Sequence, residues 1–304
     1  MPVWYHESYT EGIDSSARFP RDRYRLLKMR LDYFQGTGLI QIKNPKPVNR
    51  EILLIAHDED YVDRFLSGSL DTKEIRRIGL EPWTDDFVPR TMRIMGGAVE
   101  ALEYVSKFGG IAGNMAGGTH HSHRSFGSGY CVFNDLAICA FLARDEHGFE
   151  RIAVLDLDVH QGDGTATILE GEDGIVTISV HGENNFPFRK SISDHDLPLP
   201  NGIRDEEYLS AVQDALEILK KFSPQILLFQ AGVDALEEDA LGNLNVSKEG
   251  MRIRNDLVFS FLNNQIPCIF FMGGGYSNPI RHSVDSFYDL FVAAAESNAM
   301  FNVL

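Results

Sequence analysis

Apolar residues follow two rhythms along this chain. Short runs rich in β-branched side chains recur at EILLIAH (51–57), RIAVLDLDVH (151–160), GIVTISVH (174–181), QILLFQAG (225–232) and PCIFFMGGG (267–275). Each is closed off by polar, Gly or Pro residues, which predicts buried strands. Between them lie longer stretches with apolar positions at helical spacing: 21–35, 89–108, 134–148, 204–222, 247–265 and 284–297. Strands alternating with helices predict βαβ units and a mostly parallel sheet with helices on both faces. No internal repeat, low-complexity tract or Pro/Gly/Ser-rich linker interrupts the pattern, so the expectation is a single domain over 1–304.

The strand ends carry the chemistry. In open α/β sheets, ligands gather beyond the carboxyl ends of the strands. One predicted strand ends in Asp156, Asp158 and His160, which alternate with Leu155, Leu157 and Val159. A period of two puts the three polar groups on one side. A buried carboxylate needs a partner, and two carboxylates with an imidazole are better explained by a cation than by helix capping alone. Asp and His are ordinary ligands for zinc and other divalent first-row metals. Asp234, at the end of LLFQAGVDAL, would complete a three-ligand set with an open position, the layout of a catalytic site. The bland alternative is a Gly-rich turn with capping aspartates.

Two more features fit the same cleft. His120 and His121 are adjacent and flanked by Gly-rich turns, and histidine is the side chain suited to move protons near neutral pH. Asp156 and Asp163, left over from the ligand set, would each orient one imidazole. Tyr276 follows three glycines in GGGY, a turn that lets backbone approach a ligand. Alone, each of these two features reads as ordinary structure. His123, His147, His181, His195 and His282 lack ligand spacing and read as solvated or satisfied, and the acidic run 237–239 reads as a solvated loop.

Composition narrows the class. A hydrophobic fraction of 43% suffices for a sizeable core, and the formal charge is −16. A surface this acidic disfavours nucleic acid and anionic lipid and would welcome a cationic or lysine-bearing substrate. Cys131, Cys139 and Cys268 sit in apolar surroundings without a CxxC pair and read as reduced thiols. With no signal-like N-terminus and no apolar run of membrane length, the expectation is a cytoplasmic protein.

Together the motifs GGTHHSHRSFGSGYCVFND, LDLDVHQGDG, AGVDALEEDALG and GGGY resemble, in that order, the zinc-dependent histone deacetylase family of the arginase–deacetylase superfamily, over residues 14–297. The resemblance implies a three-layer α/β fold and a metal-dependent hydrolase acting on the acyl-lysine of a protein or peptide. It implies Asp158, His160 and Asp234 as ligands of Zn2+, with Fe2+ or Co2+ suiting the same set. It implies His120 and His121 as the catalytic pair, backed by Asp156 and Asp163, and Tyr276 as the transition-state tyrosine. Tyr130, Phe186, Gly129 and Gly274 would line the substrate tunnel. Asp156, Asp158, His160, Ser179 and Val180 would surround a structural monovalent cation, K+. Glu81 would lie near the rim and Arg23 along an inner product channel. Gln161 stands where many members carry a second histidine, which points to the class IV branch and to long fatty acyl groups; Tyr130 replaces the usual phenylalanine. An acetylpolyamine or small acyl-amine hydrolase keeps the catalyst and changes the substrate. An arginase-like ureohydrolase is opposed by the tandem histidines and GGGY, and an inactive acyl-lysine reader by the completeness of the motifs.

Overall fold

The structure, a computed structural model, describes residues 1–301. Eight strands form one sheet: β1 (Pro2–Trp4), β2 (Gln41–Lys43), β3 (Ile111–Asn114), β4 (Ile152–Asp156), β5 (Ile175–Gly182), β6 (His195–Leu199), β7 (Ile226–Gln230) and β8 (Cys268–Phe271). Their order is β2-β1-β3-β8-β7-β4-β5-β6, and every pair is parallel. The helices are α1 (Ser8–Glu11), α2 (Asp22–Phe34), α3 (Arg50–Leu54), α4 (Glu59–Leu66), α5 (Thr72–Ile78), α6 (Phe87–Phe108), α7 (Asp135–Asp145), α8 (Asp163–Leu169), α9 (Asp205–Phe222), α10 (Lys248–Phe261) and α11 (Arg281–Phe301). The six long helices match the predicted stretches to within a few residues.

The central strands β4, β7 and β8 are buried throughout, as expected where helices cover both faces of a parallel sheet. Helices α6 and α7 pack together and reach β3, β8, β4 and β7, while α9, α10 and α11 pack in a row, with α9 on β5 and α11 on β3 and α2. Cys131, Cys139 and Cys268 are free and buried. No helix among the described residues is long and apolar enough to cross a membrane.

Three expectations change. EILLIAH is not a strand: Asn49 accepts the Ile52 N–H at 3.2 Å, and this cap starts helix α3 instead. The strand expected over 151–160 stops at Asp156, so Asp158 and His160 stand on the loop beyond β4. Strands β1, β2, β3 and β6 were not predicted. Three are only three or four residues long, and β6 is an exposed edge strand containing Pro198, so none offers an apolar run to read.

His57, just after α3, anchors the long loop between β3 and α7. It is buried, its Nδ1 lies 3.0 Å from the His123 carbonyl, and its Nε2 accepts the Asn134 N–H at 2.9 Å. Nδ1 therefore donates and Nε2 has no room for a proton. Burial lowers its pKa from 6.5 to about 4. Between those values the unfolded chain binds the proton more strongly, so stability falls as pH falls. This group should remove about 2 kcal/mol between pH 7 and pH 5. Chemical denaturation at the two pH values should show the loss, and His57→Gln should show a smaller one. An equal loss in both proteins would refute the assignment.

Candidate active site

The loops at the carboxyl ends of β3, β4, β7 and β8 converge. Backbone hydrogen bonds, not strand pleating, gather the side chains beyond β4. The Asp158 N–H donates to Asp156 Oδ1 at 3.1 Å, and the His160 N–H donates to Asp158 Oδ1 at 3.0 Å. The Val159 N–H reaches across to Asp234 Oδ1 at 2.9 Å. His160 Nδ1 then sits 3.1 Å from Asp158 Oδ1 and 3.0 Å from Asp234 Oδ2. All three residues are buried, and one ligand atom from each falls within 4.8 Å of the others.

This donor set fits a divalent cation. Burial works against charge on His160, but Asp158 and Asp234 outweigh it and raise the imidazole to about 10. Burial and the nearby Asp158 charge push the Asp234 carboxyl up. Two buried carboxylates sharing one imidazole are the kind of excess negative charge that a metal ion relieves.

The histidine pair stands beside this set. His120 Nδ1 lies 2.7 Å from Asp156 Oδ2, and His121 Nδ1 lies 2.6 Å from Asp163 Oδ1. Their rings are 4.1 Å apart. The two environments split the pair. Burial opposes a proton on His120, yet Asp156 and Asp158 raise it to about 9. Burial lowers His121 to about 4, helped by the neighbouring His120 and despite Asp163. Nearby, the Tyr276 ring is 6.4 Å from that of His160, and burial raises its hydroxyl well above the usual range, so it stays protonated as a donor.

An outer cavity of about 1140 Å3 opens onto His121, His160 and Tyr276 between Gly129, Tyr130 and Phe186. Phe186 meets the His121 ring edge-on at 4.8 Å. Tyr130 has φ of 67°, a left-handed conformation unusual for an aromatic residue. Its N–H is held at 2.7 Å by the Ile78 carbonyl. A smaller cavity of about 50 Å3 lies inward, lined by Arg23, Tyr24, Arg90 and the site itself. Glu81 lines the outer cavity and Arg23 the inner one. Gly274 differs from expectation. It borders the inner cavity, its N–H donates to Asp158 Oδ2 at 2.7 Å, and a Cβ there would collide with Asp234. A glycine here lets the backbone approach the carboxylates of Asp158 and Asp234.

Asp156 and Ser179 are register partners on β4 and β5, with Val180 next along the strand. Ser179 Oγ lies 2.9 Å from His181 Nδ1.

Four further residues hold the site together, three of which were passed over or read as ordinary. His123 Nε2 lies 3.2 Å from Asp163 Oδ2, so Asp163 is shared by two imidazoles. Asp239, read as part of a solvated loop, accepts the N–H groups of Tyr276 at 2.6 Å, Leu241 at 2.9 Å and Gly242 at 3.0 Å. Gln230 is buried and donates to the Gly118 carbonyl at 2.8 Å. Gln161 accepts the Ser191 N–H at 2.9 Å and donates to the Ser191 carbonyl at 2.9 Å and to Asp196 at 2.8 Å. Only Gln161 stood out in the sequence, because it departs from a motif; the others have no motif of their own.

A family model for the histone deacetylase domain matches residues 18–291. The chain belongs to the histone deacetylase family. An uncharacterized protein of Picosynechococcus sp. is 39% identical over 294 residues, covering 93% of this chain and 96% of its own. Histone deacetylase 2 of Arabidopsis thaliana is 28% identical over 294 residues, covering 91% and 74%. Among solved structures, an HDAC homolog complexed with SAHA superposes with a TM-score of 0.83 at 25% identity, covering 97% of this chain and 83% of that one. An acetylpolyamine aminohydrolase from Burkholderia pseudomallei superposes with a TM-score of 0.80 at 20% identity, covering 97% and 98%, and shows the shared fold alone. This is a histone-deacetylase-like hydrolase with a buried Asp-His-Asp site.

Asp158→Ala and Asp234→Ala should each lose bound divalent metal, read by elemental analysis of the purified protein. Full metal content in both would show that the ligand set is wrong.

Proposed function

We propose that this family member hydrolyses the amide of an acylated lysine, with a short acyl group such as acetyl. The observation that carries the reading is the histidine pair, each ring hydrogen-bonded to its own aspartate, beside the Asp158–His160–Asp234 set at the floor of an aromatic-walled cavity. The proposed ion is Zn2+, with Fe2+ or Co2+ suiting the same donors. When bound, it supplies Lewis acidity toward the amide carbonyl and the attacking water.

The protein's own groups do the rest. Asp163 accepts a hydrogen bond from His121 Nδ1–H, which leaves Nε2 free to take a proton from the attacking water. His120, hydrogen-bonded through Nδ1 to Asp156 at 2.7 Å, carries positive charge when protonated and gives its proton to the leaving amine. The Tyr276 hydroxyl donates to the oxyanion of the tetrahedral intermediate. Oxygens around Asp156 and Ser179 would hold a monovalent cation, K+, beneath the site. An inner cavity of about 50 Å3 has room for a few waters or an acetyl methyl, not for a long alkyl chain. The guanidinium groups of Arg23 and Arg90 on its wall also disfavour such a chain. These features support acetyl over the fatty acyl groups that Gln161 suggested.

The test is a panel of lysine peptides from acetyl to myristoyl, run beside acetylpolyamines, with released amine as the readout. Acetyl-lysine peptides should turn over fastest. Preference for acetylpolyamines would overturn the lysine reading, and preference for myristoyl the short-acyl reading. Tyr276→Phe should lower kcat about 10²- to 10³-fold with metal content unchanged. Undiminished turnover would remove Tyr276 from the mechanism.

A further inference from the structure

The chain carries a formal charge of −16, yet the mouth of its site runs the other way. Arg18, Arg76 and Arg77 line the outer cavity, and Glu81 is the one carboxylate residue among the described residues that line it. All three arginines are exposed. None is paired with a carboxylate among the described residues. Arg77 lies 4.6 Å over the Phe126 ring, which holds the guanidinium without neutralising it.

These arginines are tied to the cavity wall. The Gly129 N–H donates to the Arg77 carbonyl at 3.2 Å, and the Tyr130 N–H donates to the Ile78 carbonyl at 2.7 Å. Arg76 and Arg77, in the last turn of α5, therefore share a hydrogen-bonded frame with Tyr130. Arg18 precedes Phe19, whose ring meets Tyr130 at 5.2 Å and Tyr276 at 6.2 Å. Asn184, Asn185, Phe188 and Leu241, which also line the cavity, are uncharged. Cations in the last turn of a helix complement its dipole, which accounts for part of Arg76 and Arg77. It does not account for Arg18, which lies outside any helix, or for the convergence of all three on one opening.

We propose that this mouth selects acyl-amine substrates carrying an anionic group beside the scissile amide: an acyl-lysine flanked by aspartate or glutamate in a peptide. The inference rests on the acyl-lysine reading above and adds the sign of the charge the substrate presents. The cavity is wide enough to take residues flanking the lysine, and planar guanidinium groups match carboxylates well. A polyamine would bring ammonium groups against the same arginines, which disfavours it.

Binding tests this without turnover. Two fluorescent acetyl-lysine peptides, identical except for Glu or Lys at the flanking positions, are titrated with the protein at low salt and followed by anisotropy. The Glu-flanked peptide should bind about tenfold more tightly. The difference should shrink at about 0.5 M salt and in an Arg18→Gln/Arg76→Gln double variant. Equal binding of the two peptides, tighter binding of the Lys-flanked one, or a preference that survives both salt and the double variant overturns the proposal. A protein that prefers the Glu-flanked peptide but, on prolonged incubation, hydrolyses neither would refute the acyl-lysine substrate reading and leave the charge preference standing.

Discussion

Burying negative charge is the constraint around which the rest of this site is organised. Asp135, Asp156, Asp158, Asp163 and Asp234 are all buried. A carboxylate taken from water without partners costs several kcal/mol, so each must find donors nearby. Asp135 accepts the N–H groups of Gly118 at 2.9 Å and Thr119 at 2.8 Å, directly before the histidine pair. Asp158 takes the Gly274 N–H, and Asp234 takes the Val159 N–H. Half-buried Asp239 does the same for the turn that carries Tyr276. The donors belong to the loops that hold the functional side chains. Satisfying the carboxylates and aiming the site are therefore one requirement, met by one set of bonds.

That coupling explains what the sequence revealed and what it concealed. The long amphipathic helices and the central strands were legible because burial on a fixed face imposes a period. The edge strands β2 and β6 were not, because a half-exposed strand has no reason to be uniformly apolar. The tandem histidines, the LDLDVH acids, Asp234 and Tyr276 were visible as an ordered set of motifs, and the structure brings them together. His123, Asp239 and Gln230 were invisible because their roles arise only when distant loops meet, and no local spacing announces that. Net charge says little about the opening, where Arg18, Arg76 and Arg77 gather on a chain of formal charge −16. It sums the whole surface, whereas a substrate meets the few residues at one opening.

The two cavities differ in size and lining. The inner one is small and bordered by Arg23 and Arg90, and the outer one is wide and carries most of its charge on Arg18, Arg76 and Arg77. Size and polarity thus distinguish the inner space, and positive charge the outer one. Tyr130 and Tyr276, with rings 5.8 Å apart, stand at the boundary between the two.

Gln161 ties the loop bearing His160 to the segment that follows Phe186. A primary amide can both give and take a hydrogen bond on one short side chain, and here it grips the backbone N–H and carbonyl of Ser191 at once. An imidazole, with one nitrogen on each side of a rigid ring, cannot clasp a single residue in that way. The two loops thus behave as one mechanical part. A change at position 161 would loosen the segment behind the aromatic wall as readily as the loop that carries His160.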